Sequence, residues 1–219
     1  MKIVISGYGK MGHMIESILI DRGIEYIPTE NVAEIDTATA KQCVCIDFTT
    51  PDAFRSNYRL LADRFGAVIV GTTGWNDIKD EVIDYFKSRG TTMIYASNFS
   101  LGVNVMFSLV AKASALLANA GYDPYIVEMH HKHKLDAPSG TAKSLAQIVD
   151  NATGAATQVQ SVRCGEIAGI HTVGFEGAND RITITHEAFS RKGFAQGAVE
   201  AALMTEKITG VHEFKDIII

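Results

Sequence analysis

The chain has 219 residues and a formal charge of −5, which is room for one large domain or two modest ones. Hydrophobic residues make up 47% of it and charged residues 21%, too apolar a balance for a disordered chain. The mild acidity excludes a global attraction to nucleic acid or anionic lipid, while leaving any single cleft free to hold a small anion.

No run of about eighteen apolar residues occurs. No long apolar segment precedes the opening MKIVISG, so a cytoplasmic chain is expected. Cys43 and Cys45 sit in the apolar run CVCIDF and Cys164 stands apart. Their spacing fits neither a redox C-x-x-C nor a zinc pair, and the first two read as buried, reduced thiols.

In chain order, residues 2–6 (KIVIS) form a strand candidate that breaks at Gly7 and Gly9, and a helical stripe of Met11, Met14, Ile15, Ile18 and Leu19 follows. This is the opening of a βα unit. Further strands are expected near 24–28, 43–48, 67–70 and 92–96, with helices over 52–65 and 75–87; the polar stretch 31–42 stays unassigned. Short apolar strands alternating with helices predict a parallel sheet covered on both faces.

A long helix is expected over 102–120, with Gly121 as its C-cap. A strand at 125–131 then runs into a histidine–lysine cluster, and a helix resumes near 139–150. Strands at 159–165, 169–176 and 180–187 follow, the last two joined by a turn at 177–180. Ile182, Ile184 and His186 alternate with Thr183, Thr185 and Glu187, which predicts one buried and one open face. This part reads as antiparallel and α+β. A last helix is expected over 194–208, then a short tail.

Gly7–Gly12 (GYGKMG) is a G-x-G-x-x-G turn directly after the first strand. Gly7 allows the tight turn, Gly9 lets backbone approach a pyrophosphate, and Gly12 lets helix and strand close together; the helix start offers unpaired N–H groups. A glycine turn shaped by packing alone is the competing reading. Glu30, 23 residues past Gly7, is placed to bond adenosine ribose hydroxyls, which would favour NADH; Lys10 in the turn would offset its repulsion of a 2′-phosphate. A solvated strand end is the bland alternative for Glu30, and Glu25 is a weaker candidate. Phe48–Pro51 (FTTP), Gly71–Gly74 (GTTG) and Ala96–Ser100 (ASNFS) all fall at expected strand C-termini, where open parallel sheets take ligands.

The strongest local signal is EMHHKHKLDAPSGTA at 128–142. His130, His131, Lys132, His133 and Lys134 are consecutive, and such a run is expected to border a wet cleft, where it supplies proton donors and fixed positive charge. Pro138, Ser139, Gly140 and Thr141 open a helix whose free N–H groups suit a carboxylate. A zinc site on His130, His131 and His133 is disfavoured by Lys132 and Lys134 and by the lack of H-E-x-x-H or a cysteine pair, so no metal is expected.

Taken together, these segments resemble the 4-hydroxy-tetrahydrodipicolinate reductase (dihydrodipicolinate reductase) family. The supporting pieces, besides 128–142, are GYGKMG, IDFTTP, GTTG, ASNFSLGVN, SVRCGEIAGIHTVGF and FAQGAV, in order along nearly the whole chain. The resemblance implies a Rossmann-like parallel-sheet nucleotide domain (1–99, with 195–219 returning to it) and an α+β substrate and oligomerisation domain (100–194). It implies a cytoplasmic NADH- or NADPH-dependent oxidoreductase of lysine and diaminopimelate biosynthesis. Its substrate would be a cyclic dicarboxylate, and the protein a homotetramer joined through strands near 159–187.

By the same resemblance His130 is the general acid and Lys134 the lysine that stabilises negative charge. His131, Gly140 and Thr141 bind substrate. Gly7, Gly9, Lys10, Met11, Gly12, Glu30, Phe48, Gly71, Thr72, Thr73, Ala96, Asn98 and Phe99 line the cofactor. Lys10 stands where the family commonly has an arginine, and no arginine follows Glu30 closely, a departure that bears on NADPH preference. The alternatives are another Rossmann oxidoreductase acting on a small carboxylate, or a non-catalytic NAD(P)-binding sensor. Neither needs a basic run followed by DAPSGTA.

Overall fold

The computed structural model describes residues 1–218. It divides the chain into two compact units, Met1–Ser100 with the stretch returning from Lys192, and Leu101–Arg191. No helix among the described residues is long and apolar enough to cross a membrane.

The first unit opens with β1 (Lys2–Ser6), α1 (Lys10–Asp21), β2 (Glu25–Thr29), α2 (Thr37–Lys41), β3 (Cys43–Asp47), α3 (Pro51–Arg64), β4 (Ala67–Val70), α4 (Lys79–Arg89) and β5 (Thr92–Tyr95). The second unit holds α5 (Leu101–Leu117), β6 (Asp123–His130), α6 (Gly140–Thr153), β7 (Gln158–Arg163), β8 (Ile170–Glu176) and β9 (Arg181–Glu187). The chain returns as α7 (Lys192–Met204) and β10 (Val211–Glu213).

The first unit's sheet has six strands in the order β10-β5-β4-β3-β1-β2, all parallel. Alternation along the strands divides its core between two faces. Ile3, Ile5, Val44, Ile46, Ile69 and Ile94 meet α1 and α7 on one face. Val4, Cys43, Cys45, Val68, Val70 and Met93 meet α3 and α4 on the other. Burial on both sides explains the unbroken apolar runs of β3 and β4. Cys43 and Cys45 are buried free thiols, as their setting predicts.

Three details depart from the expectations. The unassigned stretch 31–42 contains a 3-10 turn capped by Asn31 and the short α2 capped by Asp36; side-chain caps, rather than an apolar stripe, define both. The tail is not structureless, because β10 adds an edge strand beside β5. Three residues carry too little periodicity to announce it. The expected 75–87 helix starts later, after a 3-10 turn at Asn76–Ile78.

The second unit's sheet runs β7-β6-β8-β9. Its pairs β6–β8 and β8–β9 are antiparallel, but β6–β7 is parallel, which corrects the antiparallel expectation. The helix α6 lies between β6 and β7 in the chain and makes that connection a crossover instead of a hairpin. Helices α5 and α6 cover one face through Met106, Val110, Leu145 and Val149, against Ile126, Val173 and Phe175. On β9 the predicted inner face is covered from its middle onward: Ile184 packs on this core and His186 is half-buried, whereas Ile182 remains 42% exposed.

Helix α7 reaches the first sheet by having almost no side chain there. Ala195, Ala198, Ala201 and Ala202 are fully buried, and a Cβ on Gly197 would stand 1.7 Å from the carbonyl oxygen of Phe99. Backbone cannot yield as a side-chain tip does. Gly197→Ala is therefore expected to destabilise the protein by about 3 kcal/mol and to lower its melting temperature by roughly 5–10 °C. Thermal unfolding followed by circular dichroism checks this, and an unchanged melt would mean the helix shifts without cost.

Candidate active site

In the first unit the loops leave the C-terminal ends of β1, β3, β4 and β5. Gly7 adopts φ +86°, and any Cβ there would lie 2.4 Å from the Phe48 carbonyl oxygen. A Cβ on Gly12 would lie 2.5 Å from the carbonyl oxygen of Gly7. Both glycines are thus required by local packing. Gly9 is different: a Cβ there would meet nothing within 4 Å, and Gly9 caps α1 without a side-chain bond. The first amides of α1 have no partner within the helix. Lys10 is exposed, and Met11 is half-buried against the core.

Glu30 directly follows β2 and its Oε1 accepts the Tyr8 N–H at 3.2 Å, so this exposed carboxylate borders the glycine turn. Phe48 is half-buried, and its ring fills the space a Cβ on Gly71 would need. Phe99 is buried, with ring centroids 6.2 Å from Phe48 and 5.0 Å from Phe214. Ala96 is buried beside it in sequence, and Asn98 Oδ1 accepts the Ser100 N–H at 2.8 Å. Thr73 is exposed.

Thr72 points inward. Its hydroxyl donates to Asp47 Oδ1 at 2.6 Å and accepts the Thr49 N–H at 2.7 Å. Asp47 was not singled out from sequence, yet it organises this edge. It is 1% exposed, and it also receives the hydroxyls of Ser6 at 2.8 Å and Thr49 at 3.0 Å. Burial pushes its carboxyl above the ordinary range, against the pull of the three hydroxyls.

In the second unit the apolar face of the sheet turns polar toward the C-terminal end of β6. Glu128 and His130 follow Ile126 on that face. Across the strands Glu128 is paired with Ser161 and His171, His130 with Arg163, and His171 with His186. Glu128 is fully buried and His130 is 7% exposed. His130 Nδ1 is bonded to Glu128 Oε2. Arg163 donates Nη1 to Oε2 at 3.0 Å and Nη2 to Oε1 at 2.6 Å, and the Ser139 N–H reaches Oε1 at 3.2 Å.

Burial raises the Glu128 carboxyl, but the bonds from Arg163, Ser161, His130 and the Ser139 amide outweigh it and hold it at about 2. Burial lowers His130 below its ordinary value, with Glu128 opposing the shift. His171, buried and close to His130, is brought down to about 4.

The basic run does not act as one block. His130 turns in, while His131 is half-buried and Lys132 and His133 are exposed. The run is pinned to the following loop by His131 N–H to the Ile167 carbonyl at 2.8 Å and Cys164 N–H to the His130 carbonyl at 2.9 Å. Lys134 Nζ sits 2.7 Å from Asp136 Oδ1. Ser139 caps α6, its Oγ accepting the Ala142 N–H at 3.2 Å and lying 3.1 Å from His171 Nε2. Gly140 follows with open space where a Cβ would be, then the half-buried Thr141.

Sequence reasoning passed over Arg163 and His171 and gave Glu128 no role. Glu128 was findable, because a carboxylate two residues before His130 on a strand must share its face. The histidines weighed for zinc, His130, His131 and His133, are not the ones that gather. Donor atoms of Glu128, His130 and His171 do lie within 4.8 Å of one another, and the Arg163 guanidinium already engages both oxygens of that carboxylate.

Comparison with known proteins fits this geometry. Residues 1–99 match the family model "Dihydrodipicolinate reductase, N-terminus", and residues 102–218 match "Dihydrodipicolinate reductase, C-terminus". The 4-hydroxy-tetrahydrodipicolinate reductase of Christiangramia forsetii is 37% identical over 233 residues, covering 100% of this chain and 98% of the relative. That of Ralstonia pickettii is 34% identical over 264 residues, covering 100% and 99%. A dipicolinate-bound dihydrodipicolinate reductase from Paenisporosarcina sp. TG-14 shares the fold with a TM-score of 0.81 at 20% identity, covering 99% of each chain. The chain therefore belongs to the dihydrodipicolinate reductase family.

Proposed function

We propose that this chain reduces 4-hydroxy-tetrahydrodipicolinate, by way of dihydrodipicolinate, to tetrahydrodipicolinate with NAD(P)H, in lysine and diaminopimelate biosynthesis. Family membership supports the reaction. The observation that carries the chemistry is the buried Glu128–His130 pair beside the open start of α6. A sensor that only bound nucleotide would have no use for a desolvated proton donor there. We place the reaction in the cytoplasm, where the reduced cofactor is supplied.

The first unit fits a dinucleotide. Gly9 leaves open the space a side chain would fill, directly over the free amides of α1. Gly7, Gly9, Lys10, Met11 and Gly12 would hold the pyrophosphate, and Glu30 the adenosine ribose. Phe48, Gly71, Thr72, Thr73, Ala96, Asn98 and Phe99 would wall the nicotinamide, with the Thr72 hydroxyl serving Asp47 and so fixing the loop. Bound NAD(P)H supplies the hydride.

On the second unit Lys134, His131, the Gly140 N–H and the Thr141 hydroxyl take the substrate carboxylates. A helix start favours an anion through its partial positive charge, and Lys134 would exchange its ion pair with Asp136 for the incoming carboxylate. His130 delivers a proton to the carbon next to the one that receives hydride. Lys134 steadies the charge that builds on the ring.

NADH oxidation, measured with the product of dihydrodipicolinate synthase as substrate, tests the reading. His130→Ala should lower kcat by about 10²–10⁴-fold and leave the cofactor Kd unchanged by fluorescence titration. Lys134→Ala should lower kcat and raise the substrate KM, each by about tenfold. Normal values in both variants would remove these residues from the reaction.

Glu30 favours NADH, because its carboxylate repels a 2′-phosphate and accepts ribose hydroxyls. In Glu30→Ala the ratio of kcat/KM for NADH over NADPH should fall by about tenfold. An unaltered ratio would leave Glu30 only its bond to the Tyr8 amide.

A homotetramer is assigned to the open face of the second sheet. Val127, Met129 and Ile170 are half-buried there and Val162 is 38% exposed, more apolar surface than a solvated sheet face usually carries. Light scattering should give the mass of four chains, and Val162→Lys should lower it. A monomeric wild type would rule the assembly out.

A further inference from the structure

Each nitrogen of His130 has a different neighbourhood. Nδ1 is committed to Glu128 Oε2. Nε2 faces the backbone of Gly169, where a Cβ would come within 3.1 Å of it. Any residue larger than glycine at 169 would press on the nitrogen that has to be reached from outside.

The carboxylate that takes Nδ1 is itself fixed in place. Arg163 grips both oxygens of Glu128 and also donates to the carbonyls of Asp136 at 2.6 Å and Val162 at 2.8 Å. One guanidinium therefore ties β7, β6 and the loop before α6 to a single point. The Ser139 amide on Oε1 ties the cap of α6 to it as well. A planar fork on a carboxylate sets direction as well as charge.

From this arrangement we infer that Glu128, clamped by Arg163, is a positioning residue for proton delivery: it takes the Nδ1 hydrogen of His130 and leaves Nε2 as the nitrogen that serves the substrate. The inference rests on the proposed reductase chemistry and deepens it. In each turnover the imidazolium would lose its Nε2 proton to carbon, the hydride having arrived from the cofactor. It would remain neutral with Nδ1–H on Glu128 and regain a proton from solvent.

Charge follows the same geometry. The groups facing His130 are Glu128 from β6, Arg163 from β7, His171 from β8 with His186 beyond it on β9, and Lys134 from the basic loop. Of these only Glu128 favours the imidazolium; burial, Lys134 and Arg163 oppose it. Removing the Glu128 charge therefore lowers the pH above which His130 is deprotonated.

The test uses the full-length protein. In the wild type, long-range ¹H–¹⁵N correlation on histidine-labelled protein should show neutral His130 as the Nδ1–H tautomer. The Nε2–H tautomer would overturn the inference, whatever any variant does. Glu128→Gln should reduce kcat by about tenfold or more, leave the cofactor Kd within about twofold, and move the alkaline limb of the kcat/KM profile down by about one pH unit. Glu128→Asp, which keeps the charge, should recover most of that limb.

A Glu128→Gln enzyme with wild-type turnover and an unmoved limb, while His130→Ala is impaired, would make Glu128 purely structural. If His130→Ala itself keeps full activity, His130 is not the proton donor and the inference falls with it; a wild type that fails to oxidise NADH with the synthase product would instead mean that the reductase reading has failed, and the tautomer still reports separately on the clamp. Should Glu128→Gln not fold, Arg163→Lys replaces it. Loosening the fork should lower kcat at an unchanged cofactor Kd, and an unaffected kcat would count against the clamp.

Discussion

A carboxylate without exposed surface stays ionised when a cation holds it, and the second unit is arranged around one held in this way. Glu128 sits on the core face of β6, where the same alternation that buries Ile126 also buries it. Desolvation alone would drive it neutral. The Arg163 fork reverses this, so the carboxylate stays ionised and oriented. Removing either partner would strand the other, so the pair constrains how β6, β7 and the start of α6 meet. His130 and the start of α6, the proposed proton donor and anion cradle, are thus held by one buried carboxylate.

The first unit meets a similar demand with different chemistry. Asp47 ends β3 as Glu128 nearly ends β6, and both are buried. Asp47 has three hydroxyl donors and no cation among the hydrogen bonds it makes. Hydroxyl dipoles compensate desolvation less fully than a guanidinium does, which explains why one carboxyl is shifted up and the other down. In exchange, Asp47 joins β1 through Ser6 and the two loops through Thr49 and Thr72. The edge proposed for the nicotinamide is thereby stitched together with no positive charge among the hydrogen bonds that Asp47 accepts.

The parallel sheet was legible because its strands are buried on both faces and its helices are amphipathic, which is what periodicity reports best. The glycine turn was legible as a spacing pattern after an apolar strand, although only Gly12 is demanded by a neighbour in the turn, the Gly7 carbonyl, while Gly7 is demanded by the Phe48 carbonyl from a distant loop. What escaped depends on pairing between distant segments. Nothing local to QVQSVR says that β7 runs parallel to β6, and only that pairing brings Arg163 opposite His130. Likewise β10 is three residues whose strand character comes from β5. The resemblance to a family supplied His130 and Lys134, but reading residues one at a time hid the carboxylate two positions before His130.

Burial of His130 sets up a tension that the substrate resolves. His130, the proposed proton donor, is pulled toward its neutral form by burial and by Lys134 and Arg163, whereas the proposed protonation of carbon needs the imidazolium. Glu128 counters part of this from behind, at Nδ1. A bound dicarboxylate would counter the rest from in front, since two negative charges entering a desolvated site favour a nearby cation far more than they would in water. In the proposed mechanism, substrate binding therefore shifts this acid toward its charged form. In that mechanism the Lys134 that meets the dicarboxylate is also one of the charges that lower His130, so occupancy and protonation are coupled through charge.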